Sequence, residues 1–185
     1  MQRKTDTPIP VQTRLAGLSL FELLVTLLIA GLLTGLGIAG FRQLILDARL
    51  TSQVNAFVGA VHLARQTASQ VLVPVSLCAG HGRCDPDGDW NLGWTAFVNR
   101  DGDEPPVVDA DETILAMHSP WQDGRIHANR HAFSFRPFSL RDTNGTVGFC
   151  GPRGDAAARA VVISPTGRPR LASRPEVHRR VICAR

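Results

Sequence analysis

Two arginines near the end of the chain have the type and the spacing to bind phosphate. Arg168 and Arg170 are separated by one proline and follow a predicted apolar strand, Ala160 to Ile163, that runs into the turn residues Ser164 to Gly167. A guanidinium pairs two-pronged with phosphate, and the proline limits the entropy that is lost when both side chains bind. The spacing would suit a nucleic-acid backbone bound without base readout, but on charge alone an ordinary solvated basic turn is slightly favoured.

Charge is divided between the two halves of the chain. The segment from Leu18 to Asp123 has 5 Arg and 12 acidic residues, whereas the segment from Gly124 to Arg185 has 12 Arg and 3 acidic residues. No lysine follows Lys4, which a genome that favours arginine codons would explain, but such a genome would not explain the segregation of charge. The basic C-terminal third adds further candidates to the phosphate-binding surface: Arg174, Arg179 and Arg180.

One carboxylate, that of Glu22, lies near the start of a 24-residue apolar run from Leu18 to Phe41. A helix of this length spans ~30 Å of hydrocarbon. A charge inside such a segment costs about 3 kcal/mol, so Glu22 is expected to have a partner and a role in assembly. Basic residues precede the run and no small-residue cleavage site follows it. The segment is therefore expected to remain as an anchor, with its N-terminus in the cytoplasm.

The four cysteines, Cys78, Cys84, Cys150 and Cys183, all lie beyond the apolar run. An even number of cysteines in an oxidising compartment favours two disulfides. Three pairings are possible. We expect Cys78 with Cys84, which closes a small loop, and Cys150 with Cys183, which pins the C-terminus to the body. A zinc site is the alternative, but no pair has the C-x-x-C spacing.

Two acidic stretches, 85–89 and 101–104, look like fragments of calcium loops. Neither has the length of about twelve residues or the terminal Glu of a complete loop, and Asp-Gly turns are the more common cause of such sequences. The six histidines are scattered, and no nucleophile elbow or phosphate-cradling glycine loop is present. We therefore predict no catalytic residues, no metal and no cofactor, with a calcium site assembled from the two acidic loops as the alternative. We expect Trp90 and Trp94 to be core residues.

Apolar residues after Phe41 recur at spacings of three and four, which predicts an amphipathic helix as far as about Gln70. The expected organisation is a leader (1–17), a membrane and assembly helix (18–41), an amphipathic helix (42–70) and a β-rich domain (71–185). Within the membrane helix, the spacing of Gly31 and Gly35 permits close helix packing, and local unwinding during assembly is the alternative.

Short apolar segments after Gln70 are spaced as in antiparallel hairpins. This predicts an α+β fold in which one long N-terminal helix packs on an antiparallel sheet. Pro74 favours an edge position for the first strand, because proline cannot donate to a ladder. The expected strands are Val71–Cys78, Trp94–Val98, Ile114–His118, Arg125–His127, Ala132–Arg136, Thr146–Cys150, Ala160–Ser164 and a last strand from Leu171 to near Ile182.

A basic leader, Gly17, and an apolar segment with Glu22 at its fifth position resemble the processing site of type IV pilins and type II secretion pseudopilins. The usual residue after the glycine is Phe, and Leu18 keeps its bulky apolar character. Further stretches are similar to the FimT/GspH family, so that the resemblance covers essentially the whole mature chain: Asp89-Trp90 with Gly93-Trp94 and Phe97, Phe135-Arg136-Pro137, Gly145 to Cys150, and Ala158 to Ser164 running into Gly167 to Arg170.

The resemblance implies a type IV pilin-like protein that prepilin peptidase cleaves between Gly17 and Leu18, with N-methylation of Leu18. It implies insertion in the bacterial inner membrane with the C-terminal domain in the periplasm, and then assembly with other pilin subunits through the N-terminal helix. The alternative at this end of the chain is an uncleaved signal anchor.

The Gly-Arg-x-Arg tail is similar to that of FimT-type minor pilins, where it belongs to the DNA-binding region. This implies that Arg168 and Arg170 bind extracellular double-stranded DNA during natural transformation, or competence. The rival is a GspH-type pseudopilin of a type II secretion system, whose partners are other pseudopilins and exported protein. A membrane-tethered enzyme is a third class, and it lacks a catalytic constellation.

Overall fold

The computed structural model describes residues 19–139, 142–173, 176–177 and 183, with the backbone alone at 36–39. It divides the chain into two units, Met1–Arg42 and Gln43–Arg185. One long helix, α1, runs from Leu20 to Val71. The helix ends one residue beyond the predicted position, because the apolar residues keep their helical spacing to the last turn.

The described residues of the first unit belong to the start of α1, and their large apolar side chains are exposed. In the described part of the chain, α1 alone is long and apolar enough to cross a membrane. A Cβ added at Gly31 or Gly35 would meet no atom within 4 Å. This surface of the helix is therefore open to lipid or to a neighbouring helix.

The remainder of α1 is the amphipathic part, and one stripe of its surface is buried in the second unit. The stripe follows the spacing of three and four that defines a helix face, and it consists of Leu50, Val54, Phe57, Val61, Ala64 and Ala68.

Eight strands within the described residues form two antiparallel sheets. In chain order they are β1 (Val75–Ala79), β2 (Trp94–Val98), β3 (Ile114–His118), β4 (Arg125–Ala128), β5 (Ala132–Phe135), β6 (Gly145–Cys150), β7 (Arg159–Ile163) and β8 (Pro169–Leu171). The first sheet has the order β3-β2-β1-β5, and the second has the order β4-β6-β7-β8. The α+β prediction is confirmed, with two sheets where the sequence predicted one.

Phe57 of α1 joins both sheets to the helix. Its ring makes edge contacts with Trp94 and Phe133 on the side of the first sheet and with Phe149 of the second, at centroid distances of 5.5–6.3 Å. Trp90 adds a fourth edge contact. Such pairs add about 0.5–1.5 kcal/mol each beyond the area that they bury. Trp90 and Trp94 are both buried, as the sequence predicts for core residues.

The predicted edge position of the first strand is wrong. β1 lies between β2 and β5, and it starts at Val75, one residue after Pro74. Proline is excluded from a central strand because it lacks an N–H donor. Here Pro74 needs no donor within the ladder, and its carbonyl accepts a hydrogen bond from the N–H of Asn99.

The predicted last strand, from Leu171 to near Ile182, is wrong for the residues that the structure describes, and its positions 174–175 and 178–182 lie outside them. β8 ends at Leu171, and Glu176 and Val177 are helical. The N–H of Val177 donates to the carbonyl of Ser173 at 3.0 Å, and the N–H of Ser173 donates to the Glu176 carboxylate at 2.9 Å. The bond from the Ser173 N–H to the Glu176 side chain is one half of a capping box, which marks the start of a helical turn and competes with an extended strand.

Candidate nucleic-acid interface

The predicted basic turn is the hairpin connection between β7 and β8. The N–H of Ser164 donates to the carbonyl of Arg168 at 3.0 Å, and the N–H of Gly167 donates to the carbonyl of Ser164 at 2.8 Å. The Ser164 hydroxyl accepts from the N–H of Arg168 at 3.1 Å. Backbone groups and the hydroxyls of Ser164 and Thr166 thus hold the turn, and the guanidiniums of Arg168 and Arg170 make none of these hydrogen bonds.

Gly167 is needed where the turn meets its neighbours. Its φ is +70°, in the left-handed region that favours glycine. A Cβ there would lie 2.5 Å from a carboxylate oxygen of Asp142 and 3.0 Å from Nε of Arg65. The N–H of Asp142 also donates to the carbonyl of Pro165 at 2.7 Å. The turn is therefore seated against α1 and the segment that contains Asp142.

Arg168 and Arg170 lie in different environments. Both are exposed. Arg170 forms a two-pronged ion pair with Glu176, with Nη1 and Nη2 lying 2.9 and 2.8 Å from the two carboxylate oxygens. Within the part of the chain that the structure describes, the Arg168 side chain has no ion-pair partner. The structure thus presents one open guanidinium and one that an internal carboxylate already holds.

The pairing changes the ionisation of both groups. The hydrogen bonds from Arg170, with a smaller contribution from the N–H of Ser173, lower the pKa of the Glu176 carboxyl to about 2. The same hydrogen bonds raise the pKa of Arg170. Both groups are therefore charged at neutral pH, and a phosphate that binds Arg170 must take the place of Glu176.

Arg170 also lines an open groove on the outer face of the second sheet. In register across this face, Thr146 of β6 faces Val162 of β7, and Val162 faces Arg170 of β8. The groove has a volume of about 270 Å³ and includes Asn129 and Asn144. Amide groups and a guanidinium give it donors for an anion.

Arg125 lies on β4, at the other edge of the same sheet from Arg170. Arg125 pairs in register with Cys150 of β6. Arg170 lies in the cross-strand row of Thr146, which is four residues earlier on β6. With strands about 4.8 Å apart and about 3.3 Å of rise per residue, this separates the two residues by roughly 20 Å. The fold therefore does not bring Arg125 beside the turn.

The structure places the cysteines in the two pairs that the sequence analysis expects. Cys78 bonds Cys84, and Cys150 bonds Cys183. The second bond holds the C-terminal segment on the second sheet, where Val177 packs with Cys150 and Ala160. The basic residues Arg174, Arg179 and Arg180, which the sequence adds to the interface, lie outside the described residues.

The proposed processing residues Gly17 and Leu18 also lie outside the described residues. Glu22 is in the first turn of α1 and is exposed. Its N–H donates to the hydroxyl of Ser19 at 3.2 Å, which caps the helix. Among the described residues, its carboxylate has no ion-pair partner within this subunit.

In the acidic loop, residues 99–112, the carboxylates of Asp101, Asp103 and Glu112 accept hydrogen bonds from the loop's own backbone, whereas Glu104 pairs with Arg136. Asp103 accepts from the N–H of Val107 at 2.9 Å. Glu112 accepts from the N–H groups of Arg100 and Asp109 at 2.7 and 3.1 Å. No group of three or more potential ligands that could hold a metal ion occurs in the described residues. These carboxylates serve as turn acceptors.

Glu176 is the residue at this interface that the sequence analysis missed. Ser173 and Glu176 have the Ser-x-x-Glu spacing of a capping box, which indicates the start of a helical turn. Arg170 and Glu176 are six positions apart in sequence, and a helical turn at Glu176 is enough to bring their charges together. The capping-box spacing could therefore have indicated the pair.

Comparison with known proteins gives one family and one fold. The family described as type II transport protein GspH matches residues 53–167. Two crystal forms of the type IV minor pilin FimU from Pseudomonas aeruginosa are similar in structure, with TM-scores of 0.51 and 0.50 at 18% and 17% identity. They cover 69% and 68% of this chain and 91% and 94% of theirs. No curated protein matches the sequence.

At this identity the likeness to FimU establishes the fold, whereas the family match establishes membership because it covers more than half of the chain. The match ends at Gly167, directly before Arg168. The long apolar helix agrees with the way pilin subunits are anchored. The protein therefore belongs to the GspH family and is a membrane-anchored, pilin-like subunit with the fold of a type IV minor pilin.

Proposed function

We propose that this protein is a minor type IV pilin that binds extracellular double-stranded DNA without sequence preference, for uptake during natural transformation. The observation that carries the proposal is the exposed β7–β8 turn, on which Arg168 has no acidic partner among the described residues. An open guanidinium on a turn that is already held by its own backbone suits a phosphate.

Arg168 and Arg170 would contribute differently to binding. Arg168 would meet a phosphate directly and release counterions from the DNA. Arg170 would exchange one two-pronged anion, Glu176, for another, so its net gain is smaller. Arg174, Arg179 and Arg180 would add long-range attraction, and we expect Arg179 and Arg180 to matter less than the turn.

The fragment Gln43–Arg185 is suited to a binding test, because it keeps every buried core residue, from Leu50 to Val177, and both disulfides. Fluorescence anisotropy with a blunt duplex over a range of salt concentrations should give weak binding that falls steeply as salt rises. We expect the double variant Arg168→Gln, Arg170→Gln to lower the log–log slope by about 1, most of it from Arg168, because Glu176 competes for Arg170.

The control is Arg125→Gln, which removes one arginine charge roughly 20 Å away from Arg170 on the other edge of the sheet. Its slope should stay close to that of the wild type. Absence of duplex binding at low salt, or full binding by the double variant, would contradict the DNA-binding proposal and return the chain to the secretion alternative.

Biogenesis in this proposal starts with insertion in the inner membrane, with the C-terminal domain in the periplasm. Prepilin peptidase would then cleave between Gly17 and Leu18, Leu18 would be N-methylated, and the subunit would enter the filament. Gly17→Val should crowd the cleavage site and leave the precursor intact. Mass spectrometry of filament-associated protein should find a chain that begins at Leu18, and a chain that begins upstream would contradict cleavage.

Glu22 would pair with the freed α-amino group of Leu18 on a neighbouring subunit. Two points support this pairing. An isolated carboxylate in lipid is energetically unfavourable, and Glu22 has no ion-pair partner among the described residues of the same subunit. Glu22→Ala should insert normally, because the segment becomes more apolar, but should assemble poorly. Normal incorporation of Glu22→Ala into filaments would remove this role.

The second candidate function is that of a GspH-type pseudopilin in a type II secretion system. The observation that favours it is the family match itself, which is described by that name and stops before the two arginines. Its partners would be other pseudopilins and exported protein. Neighbouring genes distinguish the two: pilus and competence genes support the DNA-binding pilin, and secretion genes support the pseudopilin.

A further inference from the structure

One aromatic side chain of the second unit lies outside the core. Five of the six phenylalanines in Gln43–Arg185 are at most 1% exposed, whereas Phe138 is 88% exposed, the highest value among the large apolar side chains that the structure describes. Apolar side chains of this size are normally buried, and at Phe138 both the apolar surface and the π-face of the ring are accessible to a ligand.

The ring of Phe138 is exposed from a backbone conformation that is unfavourable for a bulky residue. Phe138 has a φ of +56°, in the left-handed region that a bulky residue rarely adopts. Two hydrogen bonds are made in the described part of this turn: the N–H of Arg136 donates to Asp142 at 3.1 Å, and the N–H of Ser139 donates to the carbonyl of Arg136 at 3.4 Å. Unfavourable backbone geometry that the surroundings maintain is concentrated at functional sites.

The Phe138 turn and the basic turn border one groove. The groove has a volume of about 210 Å³, and its lining includes Phe138, Arg136 and Arg65 together with Thr166 of the basic turn. Arg65 also lies beside Gly167, the residue before Arg168. Within the described residues, Arg65 has no ion-pair partner. An exposed ring thus lies in the same groove as the Arg65 guanidinium and Thr166 of the basic turn; the groove also contains Asp142, and its other arginine, Arg136, is paired with Glu104.

We infer that Phe138 stacks on an unpaired nucleobase of DNA whose backbone Arg168 and Arg65 hold. Aromatic side chains interleaved with cations are the usual platform for single-stranded nucleic acid, because every base offers a π-face. In a blunt duplex the bases are stacked inside, so only a frayed end, an overhang or a single strand can reach the ring. The protein should therefore prefer DNA with single-stranded ends. This inference rests on the proposed DNA-binding function and adds a second contact to it.

The test uses the full chain in a neutral detergent and two probes of the same sequence, a single strand with one 2-aminopurine and a blunt duplex. Phe138→Leu keeps an apolar side chain and removes the π-face. It should weaken single-strand binding roughly five- to hundredfold and reduce the quenching of 2-aminopurine. Duplex binding should be unchanged. The control is Leu171→Ala, which removes an exposed apolar side chain from β8 and should alter neither probe's affinity.

A second variant separates binding from folding. Phe138→Gly removes the ring and relieves the left-handed backbone, so it should raise the melting temperature while it weakens single-strand binding. A ring that served only the fold would lower the melting temperature when removed.

The two proposals fail in different ways. If Arg168→Gln weakens binding to both probes while Phe138→Leu weakens neither, DNA binding stands and the stacking role is overturned. If the wild type binds neither probe at low salt, both are overturned. Unchanged DNA binding by Phe138→Leu together with loss of filament incorporation would assign the ring to a neighbouring subunit and overturn the inference.

Discussion

The acidic loop at residues 99–112 and the basic turn at residues 164–168 use their charged residues in opposite ways. In the acidic loop, the carboxylates of Asp103 and Glu112 accept hydrogen bonds from backbone N–H groups and so hold the loop in shape. In the basic turn, backbone groups and the Ser164 hydroxyl do the holding, and the Arg168 guanidinium is left exposed. The charge that a segment carries in sequence is therefore a poor guide to the charge that it offers a partner.

The largest expected effect comes from releasing the segment that carries Glu176. Replacing Cys150 and Cys183 together by Ser opens a bond between residues 33 apart and should lower the free energy of unfolding by roughly 2–4 kcal/mol. It should also free Arg170 and so make the basic turn more open. Urea unfolding measures the first effect and duplex anisotropy the second.

The matched control replaces Cys78 and Cys84, which are 6 residues apart. Its loss of stability should be smaller because the closed loop is shorter. Stability that is unchanged in both double variants would show that the disulfides do not constrain the unfolded chain.

Removing a hydrogen-bond acceptor from the acidic loop should destabilise the fold more than removing the exposed Arg168 guanidinium from the basic turn. Glu112→Ala deletes the acceptor of two backbone N–H groups and should lower the free energy of unfolding by roughly 1–2 kcal/mol. Arg168→Gln should change it by less than about 0.5 kcal/mol. Urea denaturation compares the two, with Asp111→Ala as a control that removes an exposed acid from the same loop. Equal losses in the free energy of unfolding for Glu112→Ala and Arg168→Gln would show that the charged residues of the acidic loop and the basic turn support the fold to the same extent.

A smaller effect should follow from freeing Arg170 without releasing its segment. Glu176→Gln removes the negative charge that competes with phosphate and should raise duplex affinity roughly two- to fivefold. The salt dependence should become steeper by roughly 0.9, because Arg170 then adds a full phosphate contact. Asp111→Asn removes the same charge at a distance and should have little effect. A decrease in affinity for Glu176→Gln would mean that the Arg170–Glu176 pair orients the site.

Lowering the pH to about 4 should have the smallest effect, because the Arg170–Glu176 pair stays charged there. The Glu176 carboxyl has its pKa lowered from 4.5 to about 2, chiefly by hydrogen bonds from Arg170. A lowered pKa in the folded state means that the stabilisation is present above pH 4.5 and is lost as the pH falls from there toward about 2. Titration of the Glu176 side chain by NMR should therefore show a carboxylate still ionised at pH 4. A midpoint near 4.5 would show that the pair is absent in solution.

Features set by periodic spacing were predictable from the sequence. The apolar residues of α1 from Leu50 to Ala68 follow a helical period, and the helix ends at Val71 where the period ends. Strands β2 and β3 begin and end at the predicted residues, because turn-forming residues flank each apolar run. Alternation reveals a strand and its faces, however, and it does not reveal the neighbour, so the central place of β1 and the division into two sheets were not foreseen.

The interface was predictable in part. The turn and its two arginines follow from Gly and Pro spacing, but the difference between Arg168 and Arg170 depends on a contact with Glu176 that a short helical turn creates. Phe138 was missed for another reason. Its residue type favours the core, and only the three-dimensional structure shows that its side chain points outward.

The position of Phe57 has a mechanical consequence. A filament subunit that is held by its N-terminal helix receives tension through that helix. Because one ring on α1 touches aromatic residues of both sheets, sliding the helix along its axis would disturb both sheets at the same moment. Load that enters through the helix is thus shared between two sheets, each of which carries a disulfide from one of its strands. Such a subunit should yield as a whole, with no single strand peeling away first.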